Sequence, residues 1–124
     1  MKKYITGDLL HYKICNAKYL IEVTNTSKHG YCFKGVKDEF NGVICDEFIE
    51  DIPLTPEILE KNGWKKDKDG YFNDSYHIRL CESSTNYAAY KVVNKSIVWL
   101  RAVENVPDLQ HLLFGLDISL KIEV

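Results

Sequence analysis

Apolar and polar residues alternate with a period near two through most of the first fifty positions. The segments "DLLHYKIC" (8–15), "KYLIEVTNT" (18–26), "GYCFKGV" (30–36) and "NGVICDEF" (41–48) are rich in Tyr, Ile, Val, Phe and Thr. They are set apart by Asn16, by the cluster from Ser27 to Gly30, and by the stretch from Lys37 to Gly42. Short strands at this spacing predict an antiparallel meander or a small SH3-like barrel. "TNTSKHG" and "KDEFNG" supply its turns, with Gly30 and Gly42 available for positive φ.

The period changes at "IPLTPEILEKNGWKK" (52–66). Thr55 suits an N-cap, because its hydroxyl can accept from a free amide of the first turn. Pro56 follows at the first helical position, where a missing N–H costs nothing, and Glu57 lies near the positive end of the helix dipole. Leu54 and Leu59 have the spacing of a hydrophobic staple. Asn62-Gly63 is a stop signal, with Gly63 suited to a left-handed C′ position. The stretch predicts a short helix over 56–62, with Trp64 packed just beyond it.

Alternation then returns. "KKDKDG" (65–70) reads as a polar turn. "YFND" (71–74), "YHIRLCE" (76–82), "YAAYKVV" (87–93) and "SIVWLRAV" (96–103) read as strands. "SSTN" (83–86) is a loop, and Asn94-Lys95 is a two-residue hairpin turn. "NVPDLQHLLFGL" (105–116) is the second predicted helix. Asn105 is its cap and Asp108 the acidic partner of a capping box. Leu109, Leu112, Leu113 and Leu116 share one face with Val106. "DISLKIEV" (117–124) reads as a last short strand or an ordered tail. The predicted class is therefore α+β: a strand-rich unit over 1–51, then a helix–meander–helix unit over 52–124, together forming one compact domain.

Two of these segments carry a resemblance. "IPLTPEILEKNGW", followed some forty residues later by "DLQHLLFGL" and a short acidic tail, resembles a family of small uncharacterised proteins. These occur in gut-dwelling bacteria and in their prophages and mobile elements. The match runs from about Ile52 to Val124. The family leads into its last helix with an aromatic-valine-histidine sequence. Here Asn105-Val106-Pro107-Asp108 stands in that place, so no role of that histidine carries over. The resemblance implies an architecture and a phage-linked setting rather than a reaction.

Composition narrows the classes. With 124 residues, 45% of them hydrophobic and 27% charged, the chain can bury a core without disulfides or metals. A net charge of −2 argues against a strongly basic nucleic-acid coat protein. "MKKYITGDLLHYKIC" has two lysines but no long apolar run behind them, and no stretch reaches the roughly 18 apolar residues of a membrane span. The expected setting is cytoplasmic, away from membranes. There Cys15, Cys32, Cys45 and Cys81 should be reduced, and they are expected to act as small core hydrophobes.

Catalytic and metal signatures are weak. Cysteine spacings of 17, 13 and 36 residues contain no paired ligands, and His11, His29, His77 and His111 are scattered. Ser83, Ser84 and Thr85 lack a nucleophile elbow. "GVKDEFNG" lacks the Gly-Lys-Ser/Thr ending of a phosphate loop. No cofactor and no enzymatic activity are expected.

One constellation stands out. Strand residues alternate between faces. That parity groups Tyr76, Ile78, Leu80, Tyr90, Val92, Val98, Leu100 and Ala102 as a core face. It leaves His77, Arg79, Tyr87, Lys91, Trp99 and Arg101 together on the other. Such a surface suits recognition of a host or phage protein by a non-enzymatic accessory protein, and interference with host defence is one version of that role. The alternative is a module that stacks single-stranded nucleic acid on the aromatic rings and holds its phosphates with the cations.

Overall fold

A computed structural model of the chain describes residues 4–28, 30–119 and 121–124. It divides into two compact units, Met1–Ile52 and Pro53–Val124, each built on one five-stranded antiparallel sheet. The class is α+β, with two helices in the second unit.

In the first unit β1 (Leu9–Ile14), β2 (Ala17–Ser27), β3 (Gly30–Gly35), β4 (Asn41–Ile44) and β5 (Ile49–Glu50) pair in the order β4-β3-β2-β1-β5. The sheet is open, with β4 and β5 as its edges, so these strands do not close into the expected barrel. Alternation decides its buried face. Leu10, Ile21, Val23, Phe33 and Ile44 form the core with Tyr4 and Tyr31. The strand expected over 41–48 is broken. Asp46–Phe48 make a 3-10 turn, and the chain then crosses to pair Ile49 with Tyr12 and Glu50 with His11. Two adjacent carboxylates, Asp46 and Glu47, favour the first turn of a helix over a ladder position. Gly30 takes φ 157 where β3 passes β4, and a Cβ there would lie 2.1 Å from the Ile44 carbonyl oxygen. Gly42, by contrast, is an ordinary strand residue.

The second unit contains α1 (Pro56–Lys61), β6 (Lys65–Asp67), β7 (Gly70–Asn73), β8 (Ile78–Glu82), β9 (Tyr87–Val93), β10 (Ser96–Val103) and α2 (Val106–Gly115). Its strands run in simple sequence order, β10-β9-β8-β7-β6. The capping signals of α1 are realised. Thr55 Oγ1 accepts from Ile58 N (3.3 Å), and Gly63 takes φ 89 beyond the helix end. Asn105 Oδ1 caps α2 by accepting from Asp108 N (2.9 Å), while the Asp108 carboxylate accepts from Glu104 N (3.0 Å). Leu109, Leu112 and Leu113 are buried and Leu116 half-buried, and α2 lies on β10.

Three details depart from the sequence reading. Lys65–Asp67, expected as part of a turn, is the edge strand β6, closed onto β7 by a hairpin in which Gly70 takes φ 143. Tyr76 and His77 belong to a turn, with His77 at φ 55, so β8 begins at Ile78. The described part of 117–124 is irregular chain. It is tied down by Asn62, whose Oδ1 accepts from Glu123 N and whose Nδ2 donates to Glu123 O, both at 2.7 Å. Leu120 and His29 lie outside the described residues.

Candidate functional site

The hairpin β9–β10 is built on Asn94-Lys95, with Asn94 at φ 55 and Val93 opposite Ser96. Its ladder begins regularly: Ile97 faces Val92, Val98 faces Lys91 and Trp99 faces Tyr90. Then the register shifts. Arg101 faces Ala89, so Leu100 is an extra residue on β10, a β-bulge. From that point every β10 side chain changes face relative to a regular strand.

This bulge and the register of β9 redistribute the predicted surface. Residues directly opposite on neighbouring strands share a face. Arg79 pairs with Tyr90 and with Phe72, Tyr90 pairs with Trp99, and Phe72 pairs with Lys65. One face therefore presents a row across all five strands, Lys65–Phe72–Arg79–Tyr90–Trp99. The other face is the core: Ile78, Leu80, Ala89, Tyr71 and Val103 are all buried. Tyr87, Lys91 and Arg101 belong to that core side by register.

Of the six predicted residues, the sheet thus unites Arg79 and Trp99 on one face. Tyr87 sits edge-on to Tyr71 with ring centroids 6.1 Å apart, and burial pushes its phenol above the ordinary range. Lys91 bends its ammonium onto the Tyr76 carbonyl. Arg101 donates to Asp108 on α2 (3.4 Å). His77 lies in the turn before β8, accepting at its carbonyl from Val92 N (2.8 Å). The parity argument erred in β9, where small Ala89 rather than bulky Tyr90 points inward. It erred in β10 because a bulge leaves no mark in the residue pattern. Phe72, Tyr90 and Lys65 were missed for the same reason: only register reveals the row.

The row is apolar at one end and charged at the other. Trp99 is 60% exposed, and its strand neighbours Ile97 and Val98 are 62% and 51% exposed. The Arg79 guanidinium lies over the Phe72 ring, 5.1 Å from its centroid, a favourable cation–π geometry. Its Nη1 donates to both carboxylate oxygens of Asp67 (2.9 and 2.7 Å). Asp67 also accepts from the amides of Asp69 and Gly70 in the β6–β7 turn. The Arg79 hydrogen bond, followed by that from Asp69, holds the Asp67 carboxyl below its usual range. Lys65 pairs with Asp74 (3.3 Å). Both cations of the row are thus matched by carboxylates. The guanidinium is a fixed, planar shelf continuing the aromatic surface rather than a free anion site.

The other candidates are engaged locally. Ser83 Oγ donates within its loop to Asn86 Oδ1 (2.7 Å). None of the four cysteines is buried; Cys15 and Cys45 are exposed and Cys32 and Cys81 partly so, which corrects their expected core position. Cys32 and Cys81 take the strand positions turned away from the buried Tyr31, Phe33, Ile78 and Leu80, while Cys15 lies in the β1–β2 turn at φ 53 and Cys45 caps the 3-10 turn. Among the described residues no helix is long and apolar enough to cross a membrane.

The class the site defines is an antiparallel sheet carrying a row of half-buried Phe72, Arg79 and Tyr90 that ends in exposed Trp99, with an apolar edge hairpin. Neither a protein-family model, nor a curated protein, nor a solved structure matches the chain.

Proposed function

We propose that the protein is a non-catalytic binding module that engages a protein partner through the Phe72–Arg79–Tyr90–Trp99 row. The observation that carries this reading is Trp99, 60% exposed at the end of that row. A tryptophan left in water forgoes about 1.5–3 kcal/mol of burial, on the scale of other large apolar side chains. Exposed aromatic residues beside arginine are the residues that dominate protein interfaces. The resemblance of 52–124 to prophage and mobile-element proteins supports a cytoplasmic accessory role, with a host or phage protein as partner and counter-defence as one form of it. No cofactor enters this reading.

The nucleic-acid alternative is less well supported by this geometry. It needs unpaired cations beside the stacked rings. Lys91 and Arg101 lie on the core side, and Arg79 and Lys65 are paired with carboxylates.

The test is capture from host lysate at about 0.5 M salt, where nonspecific charge attraction is screened, followed by affinity measurement on the captured protein. Trp99→Ala should weaken that affinity at least about fivefold, equivalent to about 1 kcal/mol, with the unfolding midpoint little changed. Undiminished affinity in Trp99→Ala would sink the proposal. Binding of single-stranded oligonucleotides that falls steeply with salt would favour the alternative.

A further inference from the structure

The outer edge of β10 is a distinct feature of the same hairpin. β10 ends its sheet, so among the described residues no strand lies against its alternate, outward-facing peptide groups. Their identity follows from one bond. Val92 N donates to the His77 carbonyl on the β8 side (2.8 Å). Successive residues of an antiparallel strand address opposite neighbours, so Lys91 and Val93 bond to β10, through their partners Val98 and Ser96. Ile97, between those two, turns its N–H and C=O toward the open side.

The two edges of this sheet are treated differently. β6 is Lys65-Lys66-Asp67, short, charged and exposed, the usual protection against strand addition. β10 presents Ser96-Ile97-Val98-Trp99-Leu100, with neither charge nor proline.

We propose that a second copy of this chain adds its own β10 antiparallel to this edge, joining two five-stranded sheets across a two-fold axis. A row of open peptide groups selects an extended strand as its occupant. Such a strand meets apolar side chains on both faces, Ile97 and Trp99 on one and Val98 on the other. It must itself be apolar on both faces through its middle, and β10 has that pattern. With the axis through Val98, Ile97 of each copy lies opposite Trp99 of the other, and Ser96 opposite Leu100. No charge falls inside the pairing. Lys95 and Arg101 fall at its ends, where Arg101 is already bonded to Asp108 (3.4 Å). An isologous contact of this kind closes on itself as a dimer, and the edges left outermost are the two short, charged β6 strands. The inference shares a hairpin with the binding reading above, but it uses the backbone edge rather than the face.

Sedimentation equilibrium of the purified full chain, over about 10–500 µM, tests it. The expected result is a monomer–dimer equilibrium that does not weaken with added salt. Ile97→Pro removes the outward N–H while leaving the bonds of Ser96 and Val98 to β9, a placement proline tolerates on an edge. It should raise the dimer dissociation constant at least about tenfold. Ile97→Lys, at an exposed position, should do the same and serves as the deciding variant if Ile97→Pro fails to fold by circular dichroism. A wild-type chain that stays monomeric throughout, or a dimer indifferent to the folded variants, overturns the proposal. A monomer that still captures its partner through Trp99 would leave the binding reading standing, and an edge-dependent dimer without a partner would do the reverse.

Discussion

Replacing Leu113 by alanine tests the architecture beneath the site. Leu113 is 1% exposed on α2, while the next residue, Phe114, is 75% exposed. The substitution removes roughly three carbon groups from a buried position, about 2.4 kcal/mol at the usual value per methylene. The cavity left behind adds to this. If the site collapses to leave about 50 Å³, the further cost is about 1.2 kcal/mol. The sum, about 3.6 kcal/mol, is a large part of the stability of a small domain. Both tryptophans, Trp64 and Trp99, belong to the second unit, so fluorescence excited selectively at tryptophan during urea unfolding follows that unit, without the tyrosines of the first. With an m-value of about 1.4 kcal/mol per M, the midpoint should fall by about 2.5 M. Phe114→Ala, one position along the same helix, should move it by less than about 0.4 M. Equal shifts for the two variants would mean that α2 presents a different face to the sheet. That outcome would also undermine the core side assigned to β10.

Tyr71 is fully buried, and its hydroxyl finds no hydrogen-bond partner among the described residues; Tyr71→Phe should hold or raise stability by up to about 2 kcal/mol, and a loss by the same unfolding assay would show that the hydroxyl is bonded. Gly70 takes φ 143, and a Cβ there would lie 2.1 Å from the Leu80 carbonyl oxygen; Gly70→Ala should cost at least about 2 kcal/mol, and an unshifted midpoint would refute the close β7–β8 approach. Burial first, and Lys18 second, lower the His11 pKa below 6.5 against the opposing pull of Glu50. The unfolded chain then binds more protons as pH falls through 6.5, so the first unit should lose stability from pH 7.5 to 5.5. Urea titrations followed by NMR at Leu10 and Ile21 should show this slope, and His11→Gln should flatten it. Thiol titration without reductant should find Cys15 and Cys45 reacting fastest in the native protein and four thiols after denaturation; fewer than four would contradict the reduced state.

Local chemistry was legible where a single residue type settles a local choice. Thr55-Pro56 and Asn62-Gly63 marked the ends of α1 because caps act within one turn. Asn105 and Asp108 marked the start of α2 in the same way. The leucines of α2 revealed its buried face because a helix repeats faithfully over ten residues. Asn94-Lys95 located the hairpin that carries Trp99. Alternation also gave the inward residues of β8, Ile78 and Leu80.

Tertiary structure decided whatever depends on which strand lies beside which. Lys65–Asp67 is a strand only because β7 offers it a ladder; its own residues describe a polar turn. In β9, Tyr87–Val93 is apolar enough on both faces that its parity is undetermined until Ala89 meets Leu80. In β10, the extra residue Leu100 sends Arg101 to the core side and parts it from Trp99. The row Phe72–Arg79–Tyr90–Trp99 draws one residue from each of four strands, so it exists only in the register. A side-chain period of two determines that a strand has two faces. The hydrogen-bonded neighbours determine which face is which, and a one-residue slip exchanges them.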